Sequence, residues 1–156
     1  KIMKKIFILL LLTISFSAFA QHKDLVWHTD VQKAINISEK QNKPLLFFFT
    51  GSDWCGWCIR LQKEVFFKPT FTEWANKNVV LVELDFPKRT KLDPTLQQQN
   101  RQLAQMFGVR GYPTIWFVTP EIQEGKTNFN KLGKAGYMAG GPKVWIENAN
   151  NIINNK

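Results

Sequence analysis

Cysteine is scarce in this chain, with two residues, Cys55 and Cys58, among 156. Small exported domains that depend on disulfides carry several, and a bridge between positions this close encloses a loop too short to restrict the unfolded chain much. Stability is therefore a poor reason for the pair. Histidine is equally rare, His22 and His28 being the whole supply. A closed zinc site takes four ligands, and two histidines far from the cysteines, without ligand spacing between them, leave metal binding unsupported. The net charge of +9 includes Lys1, Lys4 and Lys5 at the start; the +6 left without residues 1–20 is modest, and Lys33, Lys63, Lys77, Lys88, Arg101 and Lys131 are scattered. No dense basic block marks a nucleic-acid footprint, and these residues read as a solvated surface.

The longest apolar stretch, residues 6–14, falls short of the roughly 20 residues an uncleaved membrane anchor needs. Lys1, Lys4 and Lys5 precede it and Ala18-Phe19-Ala20 follows, the positive start and small-x-small end of a secretory signal. Residues 1–20 are expected to be a cleaved signal peptide, with no cysteine after the apolar run to take a lipid. Residues 21–156 are then one domain, periplasmic or secreted, with no stable membrane anchor.

Along that domain apolar runs of strand length alternate with helical periodicity, which points to an α/β fold around a central sheet. Asp30 is placed to cap a helix reaching about Gln41, with Val31, Ala34 and Ile35 on one face. Residues 45–49, Leu-Leu-Phe-Phe-Phe, are continuously apolar, as in a central strand covered on both faces. The turn Thr50-Gly51-Ser52-Asp53 leads to a helix from about Cys55 that ends before Pro69, and a short helical piece covers 71–76. Residues 79–85 form a second buried strand and 86–94 an exposed basic loop. A glutamine-rich helix over 96–107 turns Leu103, Met106 and Phe107 inward and stops at Gly108. A third strand is expected over 114–118, a polar hairpin connection over 120–130, and a weaker edge strand over 131–137. A terminal helix starts at Gly140-Gly141-Pro142, with Val144, Trp145, Ala149 and Ile152 facing the core. Its asparagine-rich tail reads as a polar face that frays.

The decisive segment is Trp54-Cys55-Gly56-Trp57-Cys58, directly after a buried strand and at the start of a helix. A first helical turn presents unpaired N–H groups and the positive end of the dipole, and both favour a thiolate. Cysteine pKa values at such places fall from about 8.5 to roughly 3.5–7.5. Cys55 is read as the reactive thiolate. Cys58, one turn on and on the same face, is placed to close a disulfide with it and is read as the resolving thiol. The alternatives are an inert bridge or a metal knuckle. Gly56 and Trp57 shape the helix start and its rim; Trp57 reads as an exposed contact for an apolar partner segment, and Trp54 as either core or contact. Lys88, Arg89 and Lys91 read as a solvated loop, with steering of acidic partners as the alternative.

Through residues 45–49, the Trp54-Cys55-Gly56-Trp57-Cys58 segment and Val109-Arg110-Gly111-Tyr112-Pro113-Thr114, the chain resembles the thioredoxin superfamily over nearly all of residues 21–156. Thr50-Gly51-Ser52-Asp53-Trp54-Cys55 is similar to exported bacterial thioredoxin-like proteins and to the reducing domains of periplasmic disulfide relays. The resemblance implies a thioredoxin-like three-layer sandwich with a central mixed sheet flanked by helices. It also implies a cis bond before Pro113, facing the cysteines, with Tyr112 and Pro113 as the wall of a substrate groove. The sequence departs from cytoplasmic thioredoxins in two places. Their buried acid before the motif falls near Phe48 or Phe49, and the proline of their dipeptide is Trp57. Glu83 or Asp85, which share one face of the neighbouring strand, are left as acceptors for the Cys58 proton.

The expected function is a thiol-disulfide oxidoreductase that reduces or exchanges disulfides in exported proteins, Cys55 attacking and Cys58 releasing the mixed disulfide. Expected partners are protein or peptide disulfides and a redox partner that recycles the pair. The chain is read as a monomer without a cofactor, since two sulfurs hold the electrons. A disulfide oxidase or isomerase is an alternative, as is a non-catalytic thioredoxin-fold binding or chaperone module using the groove around Trp57, Tyr112 and Pro113.

Overall fold

The fold is built outward from one strand, β2 (Leu45–Thr50), whose six residues are all buried. In the computed structural model, which describes residues 24–154, Leu45, Phe47 and Phe49 face one helical layer while Leu46 and Phe48 face the other. Such a strand is stable only with both faces covered, and burying each phenylalanine contributes about 1.5–3 kcal/mol. The signal-peptide expectation falls outside the described residues.

β3 (Val80–Asp85) runs parallel to β2, and beyond it lies the two-residue β1 (Trp27–His28), also parallel. On the other side β4 (Thr114–Gln123) is antiparallel to β2, and β5 (Lys126–Ala135) is antiparallel to β4. The sheet order is thus β1-β3-β2-β4-β5, a mixed sheet with β2 in the middle.

One layer holds α1 (Val31–Gln41) and α4 (Pro94–Met106). Asp30 caps α1 by accepting the Lys33 N–H at 3.1 Å, and Asp93 caps α4 by accepting the N–H groups of Thr95 and Leu96. The other layer holds α2 (Gly56–Leu61), a π-helical turn (Gln62–Phe66), α3 (Pro69–Asn78) and α5 (Gly141–Asn154). Its centre is aromatic. The fully buried Trp145 packs edge-on against Phe66 and Phe71, and its indole donates to the Gly136 carbonyl at 3.0 Å.

Several boundaries differ from the sequence reading. Pro69 opens α3 at its first turn, where a missing N–H costs nothing, so the helix is longer than residues 71–76. Residues 120–130 are mostly strand. β4 and β5 continue as a two-stranded ribbon turning at Glu124 and Gly125, whose φ values of +49° and +75° suit a tight hairpin. Most side chains of this ribbon are polar and exposed, and Phe129 anchors it to the core by packing on Phe47 and Phe107 at 5.3 and 5.8 Å. Met106 and Val144 point outward, at 54% and 42% exposure, and Asn100 joins Leu103 as a buried residue of α4. Asn100 is tolerated because its amide donates to the Asp85 carbonyl and its oxygen accepts from Gln99. The asparagine-rich tail is also engaged: Asn150 accepts the Trp74 indole N–H at 2.8 Å.

Candidate active site

Where β2 ends, the chain turns through Gly51 and begins α2 with Cys55 as the N-cap, at φ −83° and ψ 98°. Its sulfur takes the place an Asp or Ser oxygen usually holds, accepting the Cys58 N–H at 3.2 Å. The two cysteines are joined in a disulfide, Cα to Cα 5.3 Å. Cys58 is completely buried and Cys55 keeps 5% exposure, so such access as the bridge has is through Cys55. Gly56 is exposed with open space around it.

Trp57 stands 55% exposed beside the pair. Its ring leans on Tyr137 at 5.0 Å, and the Arg60 guanidinium lies 5.3 Å from one ring and 5.2 Å from the other. Arg60 bonds Glu64 at 2.7 Å, one turn along, and the Tyr137 hydroxyl donates to the other oxygen of Glu64 at 2.6 Å. The Tyr137 hydroxyl and the Arg60 guanidinium together hold Glu64 below the usual carboxylate range. The same hydrogen bond raises the Tyr137 phenol.

Trp54 is held as a strut while 36% of its surface stays exposed. Its indole N–H donates to the Phe86 carbonyl at 2.8 Å, its ring meets Tyr112 edge-on at 5.7 Å, and the Lys88 ammonium sits 3.8 Å from the ring centroid. Gly51 makes room for it, because a Cβ there would come within 2.5 Å of the indole. Tyr112 continues the surface to Phe86, 5.3 Å between centroids, and is joined to Pro113 by a cis peptide bond. The structure thus brings Trp54 and Tyr112 together over the core that contains the cysteines, while Trp57 leans on Tyr137.

Two carboxylates fix the turn to the loop after β3. Asp53 accepts the backbone N–H groups of Lys88, Arg89 and Thr90 at 2.9, 2.7 and 2.9 Å. These donors, Lys88 foremost, lower its pKa to about 2. Asp85 accepts from the Ser52 N–H and hydroxyl. Leu81, Glu83 and Asp85 alternate onto the face that carries the cysteines, so the shared face of the two acids is the cysteine side. Glu83 stands opposite Phe48, and burial, with the nearby Asp85, raises its pKa. The Thr50 hydroxyl is buried without a hydrogen-bond partner among the described residues.

Asp53, Glu64, Arg60 and Tyr137 were not singled out from the sequence. The spacing of Arg60 and Glu64 is a readable ion-pair signal on a helix, but Asp53 meets partners about 35 positions away and Tyr137 lies 73 positions from Glu64. No local pattern marks either contact. Among the described residues there is no group of three or more potential metal ligands.

The sequence pattern of a thioredoxin-like domain family matches residues 31–138. The chain is 30% identical over 130 residues to the disulfide bond reductase DsbH of Chlamydia pneumoniae, covering 83% of this chain and 74% of that protein. It is 33% identical over 125 residues to the thioredoxin-related protein DsbJ of the same organism, covering 77% of this chain but 36% of that longer protein. Among solved structures, a DsbH oxidoreductase superposes with a TM-score of 0.75 at 27% identity, over 85% of this chain and 87% of the other. A thioredoxin from Thermus thermophilus, at 16% identity and a TM-score of 0.59 over 82% and 86% of the two chains, shares the fold.

Proposed function

The chain belongs to the thioredoxin-like family, and we propose that it is a thiol-disulfide oxidoreductase that reduces disulfides in exported proteins through Cys55 and Cys58. The observation that carries this is the unequal setting of the pair: Cys55 caps α2 and keeps the bridge's access, while Cys58 is sealed beneath it. A nucleophile needs access and a stabilised thiolate, whereas a resolving thiol needs only its neighbour.

In the reduced protein the Cys55 thiolate attacks one sulfur of a substrate disulfide. A mixed disulfide forms, and the other substrate sulfur leaves as a thiolate and takes a proton from solvent. Cys58 then loses its proton and attacks Cys55 Sγ. The substrate's second sulfur is released as a thiol, and the Cys55–Cys58 bridge forms. The substrate gains two electrons that the pair loses, and a dithiol partner returns them. Tyr112 and Pro113, with Trp54, Gly56 and Trp57 on the rim, line the path of the substrate chain. The likeness to a disulfide bond reductase supports the reducing direction, and the positive start, apolar run and Ala18-Phe19-Ala20 support reading residues 1–20 as an export signal and the protein as periplasmic or secreted.

The test is a Cys58→Ser variant, which should trap its substrates as mixed disulfides on Cys55 that dithiothreitol releases, while Cys55→Ser traps none. Insulin reduction at equal rates by wild type and Cys55→Ser would refute thiol catalysis. A reduction potential near about −270 mV supports a reductant, and one near about −120 mV an oxidase.

A further inference from the structure

The basic loop after β3 has no part in the chemistry above, yet it is fastened to the redox turn more firmly than a solvated loop requires. Three of its backbone N–H groups, those of Lys88, Arg89 and Thr90, converge on Asp53, two residues before Cys55. The Phe86 carbonyl holds the indole of Trp54, one residue before Cys55, and Lys88 lies over that ring. With its backbone so held, the loop leaves the side chains of Lys88, Arg89 and Lys91 exposed. The acids at this rim are engaged: Asp53 with the loop backbone, Asp85 with Ser52. Among the described residues neither Arg89 nor Lys91 has an ion-pair partner, the one ion pair being Arg60–Glu64.

The aromatic surface leads onto this charge without a break. Tyr112, beside the cis bond, touches both Trp54 and Phe86. Beyond Phe86 an open groove of about 640 Å³ runs along α4, lined by glutamines and Arg101. Arg110, two residues before Tyr112 in the chain, is a further exposed cation.

We propose that loop 86–93 is a docking surface for an extended polypeptide whose cysteine is flanked by acidic side chains. The proposal rests on the oxidoreductase reading and names the substrate class for that site. A segment delivering its sulfur to Cys55 crosses Trp54 and Tyr112, which brings its neighbouring side chains over Lys88, Arg89 and Lys91. Exposed charges on a held loop discriminate between partners mainly through encounter and register.

The experiment uses three peptides with the same disulfide and flanking residues of glutamate, glutamine or lysine. Each rate with reduced protein is divided by that peptide's rate with dithiothreitol, which removes differences in intrinsic reactivity. The expected result is a corrected kcat/KM about tenfold higher for the glutamate peptide than for the lysine peptide in low salt, shrinking to within about twofold near 0.5 M salt. In Arg89→Glu/Lys91→Glu the order of the peptides should invert. Equal corrected rates for the three peptides, a preference that salt leaves unchanged, or an unaltered order in the charge-reversed protein overturns the proposal. Failure to reduce any of the peptides, the glutamine one included, brings down the oxidoreductase reading and the proposal with it.

Discussion

The Tyr137 hydroxyl donates to Glu64 at 2.6 Å, joining the segment before α5 to the π-helical turn that follows the redox helix. Because Arg60 holds the other oxygen of Glu64 and lies over Trp57, the exposed indole is fixed through this carboxylate. In Tyr137→Phe the Glu64 pKa should rise toward the ordinary carboxylate range, since its foremost stabilising donor is gone. NMR titration of the carboxyl carbon reads this directly. An unmoved Glu64 would leave Tyr137 without the role assigned to it.

The position of Cys55 at the head of α2 predicts selective reactivity. In the reduced protein iodoacetamide should modify Cys55 well before Cys58 at pH 6, with a rate profile whose midpoint falls between roughly 3.5 and 7.5. Mass spectrometry of quenched samples gives both the site and the midpoint. A midpoint near that of a free thiol, about 8.5, would count against an activated nucleophile.

Asp53 contributes to holding loop 86–93 only while it is ionised. Its folded pKa is depressed to about 2, so this contribution is complete above the unfolded carboxylate range and is lost as pH falls through about 2. Asp53→Ala should loosen the loop at every pH above that range. Trypsin, cutting after Lys88, Arg89 or Lys91, should then act several-fold faster than on the wild type, while cleavage elsewhere is unchanged. Equal cutting at the loop would show that the three N–H contacts do not restrain it.

Glu83 has the opposite sign. Burial raises its folded pKa, so its protonated form suits the fold, and stability falls as pH rises through that raised value. Glu83→Gln should therefore raise the melting temperature at pH 8 and have little effect at pH 4. A wild-type-like melting curve at both pH values would refute the burial cost.

Trp145 is wholly enclosed by Phe66, Phe71, Trp74 and Phe117. Trp145→Ala removes the largest fully buried side chain of that layer and should cost about 3–5 kcal/mol, read as a lower urea midpoint. A loss below about 1 kcal/mol would mean the layer collapses to fill the space.

The parts of the fold legible in the sequence are those where burial writes itself as a local pattern. Residues 45–49 could only be a strand covered on both faces, and Asp30 with Val31, Ala34 and Ile35 announced a capped helix. The site's covalent centre was legible for the same reason, since Cys55 and Cys58 are neighbours. The ribbon over 120–130 was not, because its strands are mostly polar and Phe129 is a single core contact, which makes no apolar alternation. Nor was the fastening of Asp53 to loop 86–93, which depends on β2 and β3 ending side by side. Register brings Thr50 opposite Asp85, and the two loops that follow are adjacent in space but distant in sequence.

The sheet's two margins are short of unpaired backbone on one side and guarded on the other. β1 offers two residues, and β5 carries Lys126, Lys131 and Lys134 along its length, all exposed. Lysines on a margin discourage another strand from adding itself. Among the described residues, neither margin therefore offers a second chain a long, uncharged ladder of open hydrogen bonds, and the sheet resists being extended from outside.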